Sequence, residues 1–472
     1  MREYGLFING KWVVTAEKCA VINKASGEAV AYISVAGEAQ VKAAADAAET
    51  AFKTVKLEPY RRYEILMKAS QLVKENQNKI AEALCQEVGK PIKEALAEVN
   101  RAIQTLILSA EEAKRMTGEM VPLQGAPGCG ERWAFTMRMP VGIVCAITPF
   151  NFPLNLACHK IGPALAAGNT VIYKPATTTP LTAVLLCEIF AEAGLPDGYL
   201  NLVTGSGSTL GKMLTKELRI GFYSFTGSPA VGKELLQSVG LRRVALELGS
   251  NSANIVHHDA DVQTAAEACA RYAFANAGQV CISCQRVYVQ RSIYEEFCAK
   301  AVAFSEKLIV GNPLEPATDI GPMISQQEAK RTEEWVNEAV AQGARILTGG
   351  KRHGAWFEPT IVTDILPKMK IVCQEAFAPV FSIVPYDDIQ EAIAWVNDST
   401  YGLQAGVFTN SVDIARLCAV QIEVGGVIIN DGATFRTDNM PYGGIKESGI
   451  GKEGPQYTVR EMTEEKLIVF KF

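Results

Sequence analysis

Apolar and polar positions follow two different rhythms along this chain. Near the N-terminus, strand-like pieces at Gly5–Val14 and Ala29–Val35 give way to apolar residues spaced three and four apart through Val41–Val55, Tyr60–Val88 and Ile92–Met116. That spacing puts the apolar side chains on one face of a helix, so the three segments predict amphipathic helices sharing a core. From Val141 onward, short apolar runs are each followed by a turn and a helix-length segment: Val141–Thr148, Asn169–Lys174, Tyr199–Thr204, Gly221–Phe225 and Val244–Leu248. Runs of this kind suit strands buried on both faces, and their alternation with helices predicts a parallel sheet. A second strand-helix series begins near Asn254 and includes Arg286–Gln290, Ser382–Tyr386, Ala405–Thr409 and Gly426–Asn430.

Two segments fall outside these rhythms. Val121–Met139 is rich in Gly and Pro and ends in the alternating Trp133-Ala-Phe-Thr-Met-Arg138, which predicts an exposed hairpin arm. The C-terminal Lys466–Phe472 reads as an apolar strand with no evident partner nearby, and such strands are usually covered by another chain. A homo-oligomer, dimer or tetramer, is expected. The predicted fold class is α/β, with two doubly wound, Rossmann-like domains and a small β oligomerisation arm. Residues 1–118 and 141–247 make the expected cofactor-binding domain, 248–432 the catalytic domain, and 119–140 with 455–472 the arm.

Composition narrows the classes of function. At 472 residues the chain exceeds what a single core serves. Its 46 basic and 51 acidic residues leave a net charge of −5, with no basic run to follow a nucleic-acid backbone. Twelve cysteines without paired spacing, and no charged-then-apolar leader, point to the reducing cytoplasm. The longest apolar stretch, Leu154–Tyr173, is broken by His159, Lys160, Pro163 and Gly168, so no membrane span is expected. Cys281 and Cys284 have no second C-x-x-C pair elsewhere, so no metal is expected.

Cys281, in Asn276-Ala-Gly-Gln-Val-Cys281, is the leading candidate for covalent chemistry. Free cysteine is more often core filler than nucleophile, but Gly278 and Gln279 imply a close backbone approach just before it. A thiol needs help to ionise, and none of the four histidines stands in a cysteine-histidine signature. Glu247, at the end of an apolar strand, is the better base, because burial raises a carboxyl pKa toward the working pH. Asn151, held between Pro149 and Pro153, is placed to donate to a developing oxyanion. Gly205, Gly207 and Gly211, together with Thr226-Gly227-Ser228, follow strands and open helices, as phosphate-binding turns do. Cys284 is expected to pack rather than react.

Over essentially its whole length the chain resembles the aldehyde dehydrogenase superfamily. The matching motifs are Thr148-Pro-Phe-Asn-Phe-Pro153, Lys174-Pro-Ala, Phe225-Thr-Gly-Ser228, Leu246-Glu-Leu-Gly249, Gly278-Gln-Val-Cys281, Glu375-Ala-Phe377-Ala-Pro379 and Pro441-Tyr-Gly-Gly-Ile-Lys-Glu-Ser-Gly449. The resemblance implies Cys281 as nucleophile, Glu247 as general base and Asn151 as oxyanion donor. It implies a dinucleotide held by Lys174 and Glu375 at the riboses, Gly227 and Ser228 at the pyrophosphate, and Phe377 beside the nicotinamide. Thr148, Pro149, Phe150, Gly207, Gly211, Thr226 and Leu248 are expected to line the same cofactor site. Members restricted to NAD tend to carry Glu where Thr177 stands, so NADP, alongside NAD, is expected here. Within the family the pattern is similar to the lactaldehyde dehydrogenase branch, and a small hydroxylated or anionic aldehyde is the expected substrate, gripped by Arg101, Asn155 and Arg436. Ser250 departs from the family's usual second glycine after Gly249, and a hydroxymethyl there is expected to crowd the cofactor or acyl-enzyme. A coenzyme-A-acylating relative and a catalytically idle member of the fold are the alternatives. The carboxylate at 247 favours hydrolysis over the first.

Overall fold

A computed structural model describes the whole chain, Met1–Phe472. Its first sheet has eight strands in the spatial order 449–450, 243–247, 220–226, 143–147, 170–174, 200–202, 6–8 and 11–13. The five strands from 243–247 across to 200–202 run parallel, and antiparallel strands close both margins. Ile143–Ile147 is the first of the five, with Thr170–Lys174 on one side and Ile220–Thr226 on the other. The winding direction therefore reverses at this strand, and ligands of such sheets bind at the carboxyl edge of the reversal point. Register brings Ile147 beside Lys174 and Phe225, and Thr226 beside Glu247, so the sequence-predicted chemistry ends on one edge.

The second sheet has seven strands in the order 345–348, 360–363, 380–386, 286–290, 253–256, 404–408 and 426–429, parallel except for the first. From its earliest strand, Ala253–Val256, the chain adds 286–290, crosses to the outer strand 345–348 and works back inward to 380–386, and then adds 404–408 and 426–429 on the other side. Cys281 lies in the connection leading to Arg286–Gln290, and Glu375 and Phe377 in the one leading to Val380–Tyr386. These residues sit at the amino edge of the second sheet, facing the carboxyl edge of the first.

The helices follow the sequence pattern with one break. They are α1 (Glu38–Thr54), α2 (Pro59–Glu75), α3 (Gln77–Val88), α4 (Ile92–Ala113) and α5 (Asn155–Ala166). The periodic run Tyr60–Val88 is thus two helices, parted at Asn76, whose side-chain amide donates to the Leu72 carbonyl at 2.9 Å. An asparagine that bonds the backbone locally competes with helix continuation. α5 is buried along its whole length and crosses α4 closely: a Cβ on Gly162 would stand 2.6 Å from Ser109 Oγ. The apolar run that begins at Leu154 is this core helix. No helix is long and apolar enough to cross a membrane.

A buried ion pair fixes the start of α5. Glu98 on α4 accepts from the backbone N–H groups of Leu154 and Asn155, at 3.0 and 3.1 Å, and pairs with Lys90. The Lys90 ammonium in turn lies 3.7 Å from the Phe152 ring centroid. Phe152 follows Asn151, so the oxyanion candidate is anchored from α4.

The C-terminal strand corrects the sequence expectation. Thr463–Lys471 does have a partner in its own chain, pairing antiparallel with Arg132–Pro140 along its full length, with Met120–Val121 on the far side of the latter. The arm is a three-stranded sheet rather than a lone hairpin. Sequence distance concealed the pairing, because nothing local in Lys466–Phe472 points back to Trp133.

Candidate active site

A cavity of about 680 Å³ lies between the facing edges of the two sheets. Its walls include Thr148, Pro149, Phe150, Asn151, Lys174, Gly207, Gly211, Thr226, Gly227, Ser228, Leu248, Cys281, Glu375 and Phe377. One void thus collects two catalytic candidates and all the expected cofactor residues but Thr177. A larger groove of about 900 Å³ opens beside Trp356 and Leu308, and its lining contains no cysteine and none of these residues.

The cavity fits a dinucleotide. Cβ atoms built on Gly207 and Gly211 would meet nothing, so the space above this turn is open for a ligand rather than filled by protein. α6 (Leu181–Glu192) packs against α2 and α3, whereas α7 (Gly207–Lys216) and α8 (Pro229–Ser238) present their N-termini at the cavity, capped by Ser206 and Ser228. Unpaired N–H groups and the helix dipole there attract phosphate. Thr226 Oγ1 is buried without a protein partner, a hydroxyl left for a ligand. Lys174 donates only to the Pro175 carbonyl, and burial lowers its pKa to about 8. Glu375 accepts from the Ser250 N–H at 3.0 Å, and burial lifts its carboxyl to about 7. A Cβ on Gly249 would stand 2.5 Å from Glu375 Oε2, so any larger residue there would displace this carboxyl. Phe150 and Phe377 meet edge to face, with ring centroids 5.8 Å apart.

Three expectations change. Thr177 does not line the cavity; its hydroxyl donates to the Gly205 carbonyl at 3.0 Å, which closes the turn instead. Ser250 does not crowd it either, because its side chain is buried against Ser252, with the oxygens 3.1 Å apart. Arg101, Asn155 and Arg436 are absent from the dinucleotide cavity, and the arginines are not free hands. Arg101 is bidentate to Asp438, and Arg436 pairs with Glu453 at 3.0 Å. Buried charges must be matched, and this matching joins all three residues into one cluster.

Cys281 connects cavity and cluster. Its connection runs through a left-handed turn at Asn276, Ala277 and Gly278, with φ of 50°, 54° and 70°. Gly278 is required here, as a Cβ would stand 1.9 Å from the Ala378 carbonyl oxygen. Asn151 Nδ2 donates to the Gln279 carbonyl at 2.8 Å, and Asn276 Nδ2 donates to the Asn151 carbonyl at 3.2 Å. Oxyanion candidate and thiol are therefore tied to one turn. Burial pushes the Cys281 thiol up to about 11, while a hydrogen bond with Tyr442 Oη, 2.9 Å away, works in the other direction.

Arg436 stacks on Tyr442, 3.6 Å from the ring centroid. Glu453 accepts from both Arg436 and Lys160, the latter at 2.8 Å. Burial opposes its ionisation, but Lys160 and Arg436 outweigh that and hold its carboxyl well below the usual range. Glu247 has the opposite fate: burial first, then the nearby Glu453 charge, raises its pKa well above normal, and its Oε2 has no partner.

Sequence reasoning missed Tyr442 as a contact of the thiol, and missed His159, Lys160, Asp438 and Glu453 as members of the cluster. It also missed Ser208 and Lys212, which line the cavity. Their spacing with Gly211 on α7 was a readable signal of one helix face. Glu453 offered none, since only the fold brings it to Lys160.

A thiol beside a dinucleotide-sized cavity at the reversal point of a doubly wound sheet defines an oxidoreductase that works on carbonyl groups. The chain belongs to the aldehyde dehydrogenase family, whose model matches residues 12–468. It is an aldehyde-oxidising enzyme that uses NAD or NADP. It is 53% identical to the 3-sulfolactaldehyde dehydrogenase of Priestia megaterium, over 99% of this chain and 98% of that one. It is 41% identical to the lactaldehyde dehydrogenase of Methanocaldococcus jannaschii, over 98% and 99%. Among solved structures it matches aldehyde dehydrogenase 21 from Physcomitrella patens in complex with succinate, with a TM-score of 0.96, 37% identity and coverage of 100% and 98%. It also matches the glyceraldehyde-3-phosphate dehydrogenase of Methanocaldococcus jannaschii complexed with NADP, with a TM-score of 0.93, 39% identity and coverage of 97% and 100%.

With the thiol raised to about 11, its thiolate fraction in the free enzyme rises about tenfold per pH unit through neutrality. Iodoacetamide labelling of Cys281, followed by peptide mapping without cofactor, is expected to accelerate accordingly from pH 7 to about pH 9. A rate that levels off within this window would contradict the raised thiol.

Proposed function

We propose that this chain oxidises a small anionic aldehyde of the 3-sulfolactaldehyde type to its carboxylic acid, with Cys281 as nucleophile, Asn151 as oxyanion donor and Glu247 as general base. The observation that carries the reading is the route from thiol to charge: Cys281 touches Tyr442, Tyr442 stacks under Arg436, and Arg436 opens the cluster that contains Arg101. A short aldehyde with its carbonyl at Cys281 would direct its far end toward that cluster. The named substrate of the Priestia relative supports the same class.

Each step follows from the residues. Cys281 Sγ, as thiolate, attacks the aldehyde carbon, and the oxygen gains negative charge within reach of Asn151 Nδ2 and the Cys281 backbone N–H. The dinucleotide, when bound, supplies the hydride acceptor. Loss of hydride leaves a thioester on Cys281. Glu247, once ionised, takes a proton from water, whose hydroxyl displaces the thiolate and releases the acid. The unpartnered Oε2 leaves this carboxyl free to receive that proton. Transfer to coenzyme A is the competing fate of the thioester, and a base carboxyl at 247 favours water.

NADP use rests on Lys174, Ser208 and Lys212, a group of two cations and a hydroxyl on the cavity wall, with Thr177 adding no negative charge. The arm supports a homo-oligomer, dimer or tetramer. Trp133, Met137 and Phe470 are exposed on one face of its sheet, and Leu467 and Val469 on the other; the aromatic face is an apolar surface that another copy would cover. All twelve cysteines are free, which suits the cytoplasm.

Stopped-flow of Glu247→Gln with 3-sulfolactaldehyde is expected to show a burst of reduced cofactor near one equivalent and then little turnover; a wild-type steady-state rate would remove Glu247 from the base role. Lys212→Ala is expected to lower kcat/KM for NADP about tenfold or more, with NAD little affected. Equal losses for both cofactors would contradict a contact with the 2′-phosphate. Sedimentation is expected to give a dimer or tetramer, and a stable monomer would contradict the covering of the arm.

A further inference from the structure

Asp438 is a carboxylate that the proposed mechanism does not use, placed inside the cluster meant to receive an anion. It accepts from Arg101 Nη2 at 2.8 Å and Nε at 3.2 Å, and from Asn155 Nδ2 at 3.0 Å. His159 Nε2 stands 2.9 Å from it. Burial opposes its ionisation, but His159 and Arg101 prevail and keep it charged far below the usual range. An acidic group this strongly held needs a reason in a cluster proposed to face an anionic aldehyde.

Charge balance supplies one. Lys160 and Arg436 share the anion Glu453, Arg101 pairs with the anion Asp438, and Arg436 Nη2 lies 3.4 Å from His159 Nε2, so three cations and two anions stand together. Burial and then Arg436 lower the pKa of His159 and so disfavour its charged form. Burial first, and then Glu453, raises the pKa of the adjacent Glu247 well above normal and so disfavours its charged form. Three cations against two carboxylates leave one uncompensated positive charge. A buried surplus charge is costly, so the cluster favours a ligand that brings a single negative charge. A sulfonate or carboxylate does so, whereas a phosphate monoester brings about −1.5 to −2 near neutral pH.

Unused hydrogen-bond capacity matches the same ligand. Arg436 Nε and His159 Nδ1 are buried without partners. Asp438 beside Nε2 assigns the His159 proton to that nitrogen, which leaves Nδ1 as an acceptor. One charged donor and one neutral acceptor suit an anionic oxygen and a hydroxyl.

We propose that Asp438 is a specificity-determining residue: by cancelling Arg101 it leaves the substrate subsite with a single surplus positive charge, restricting the enzyme to aldehydes that carry one negative charge and rejecting phosphorylated ones. This rests on the reading of the enzyme as an oxidiser of small anionic aldehydes and adds the residue that sets the charge.

The test compares kcat/KM for 3-sulfolactaldehyde, glyceraldehyde 3-phosphate and lactaldehyde, which carry one, nearly two and no negative charges. The wild type is expected to favour the first. Asp438→Asn is expected to raise the ratio of the phosphate to the sulfonate substrate about tenfold or more, and Asp438→Glu to restore the original ratio. Arg101→Gln, which removes a cation, is expected to shift preference toward lactaldehyde by a similar factor, and it decides the matter if Asp438→Asn does not fold. Selectivity that stays fixed while all rates fall together, in whichever of these variants folds, would reduce Asp438 to a structural part and overturn the proposal. A wild type that favours lactaldehyde would overturn the underlying reading as well, so the two failures are told apart by the wild-type row alone.

Discussion

Burial of charge around one thiol is the constraint on which this molecule depends. Cys281, Glu247 and Glu375 are all driven toward their neutral forms by desolvation, while Glu453, equally enclosed, and Asp438, somewhat less so, are kept ionised by direct cationic partners. The difference is not depth but pairing. Glu453 has Lys160 and Arg436; Glu247, beside it, has no partner at Oε2 and feels Glu453 as a repulsive charge. Two neighbouring carboxyls whose environments push their pKa values apart make one suited to proton transfer and the other to a fixed charge.

The fold creates this arrangement by bringing unlike edges together. The first sheet delivers Asn151, Lys174, Thr226 and Glu247 from strand ends, and the second delivers Cys281, Glu375 and Phe377 from connections that precede its strands. Helix α5 spans the two functions: the turn before it carries Asn151, and its body carries Asn155, His159 and Lys160 into the cluster. Its anchoring by Glu98 and Lys90 couples the helical layer to the oxyanion candidate. The C-terminal region closes the assembly, with Gly449–Ile450 added to the first sheet beside Glu247 and Glu453 reaching Lys160.

What could be read from sequence was what is local. Strand runs such as Arg286–Gln290, the glycine turns at 207 and 227, and the motifs around Cys281 and Asn151 declare themselves through periodicity or residue type within a few positions. Most residues that line the cavity were legible because they follow the strands of the first sheet one by one along a single edge. The substrate side was not, because its logic lies in pairs distant in sequence: Arg101 with Asp438, and Lys160 with Glu453. Arginines at 101 and 436 were visible as cations, but their partners, which decide how much charge remains for a ligand, were not. The same limit hid the mate of the C-terminal strand, and it made Thr177 and Ser250 look exposed to the cofactor when both hydroxyls turn inward.

The central claim is that substrate is carried covalently on one sulfur. Acid quenching during steady turnover with 3-sulfolactaldehyde, followed by peptide mass mapping, tests it most directly. The account predicts an acyl adduct on Cys281 and on none of the other eleven cysteines. Full-rate turnover with position 281 unmodified at every quench time, or an adduct on a different residue, would contradict it.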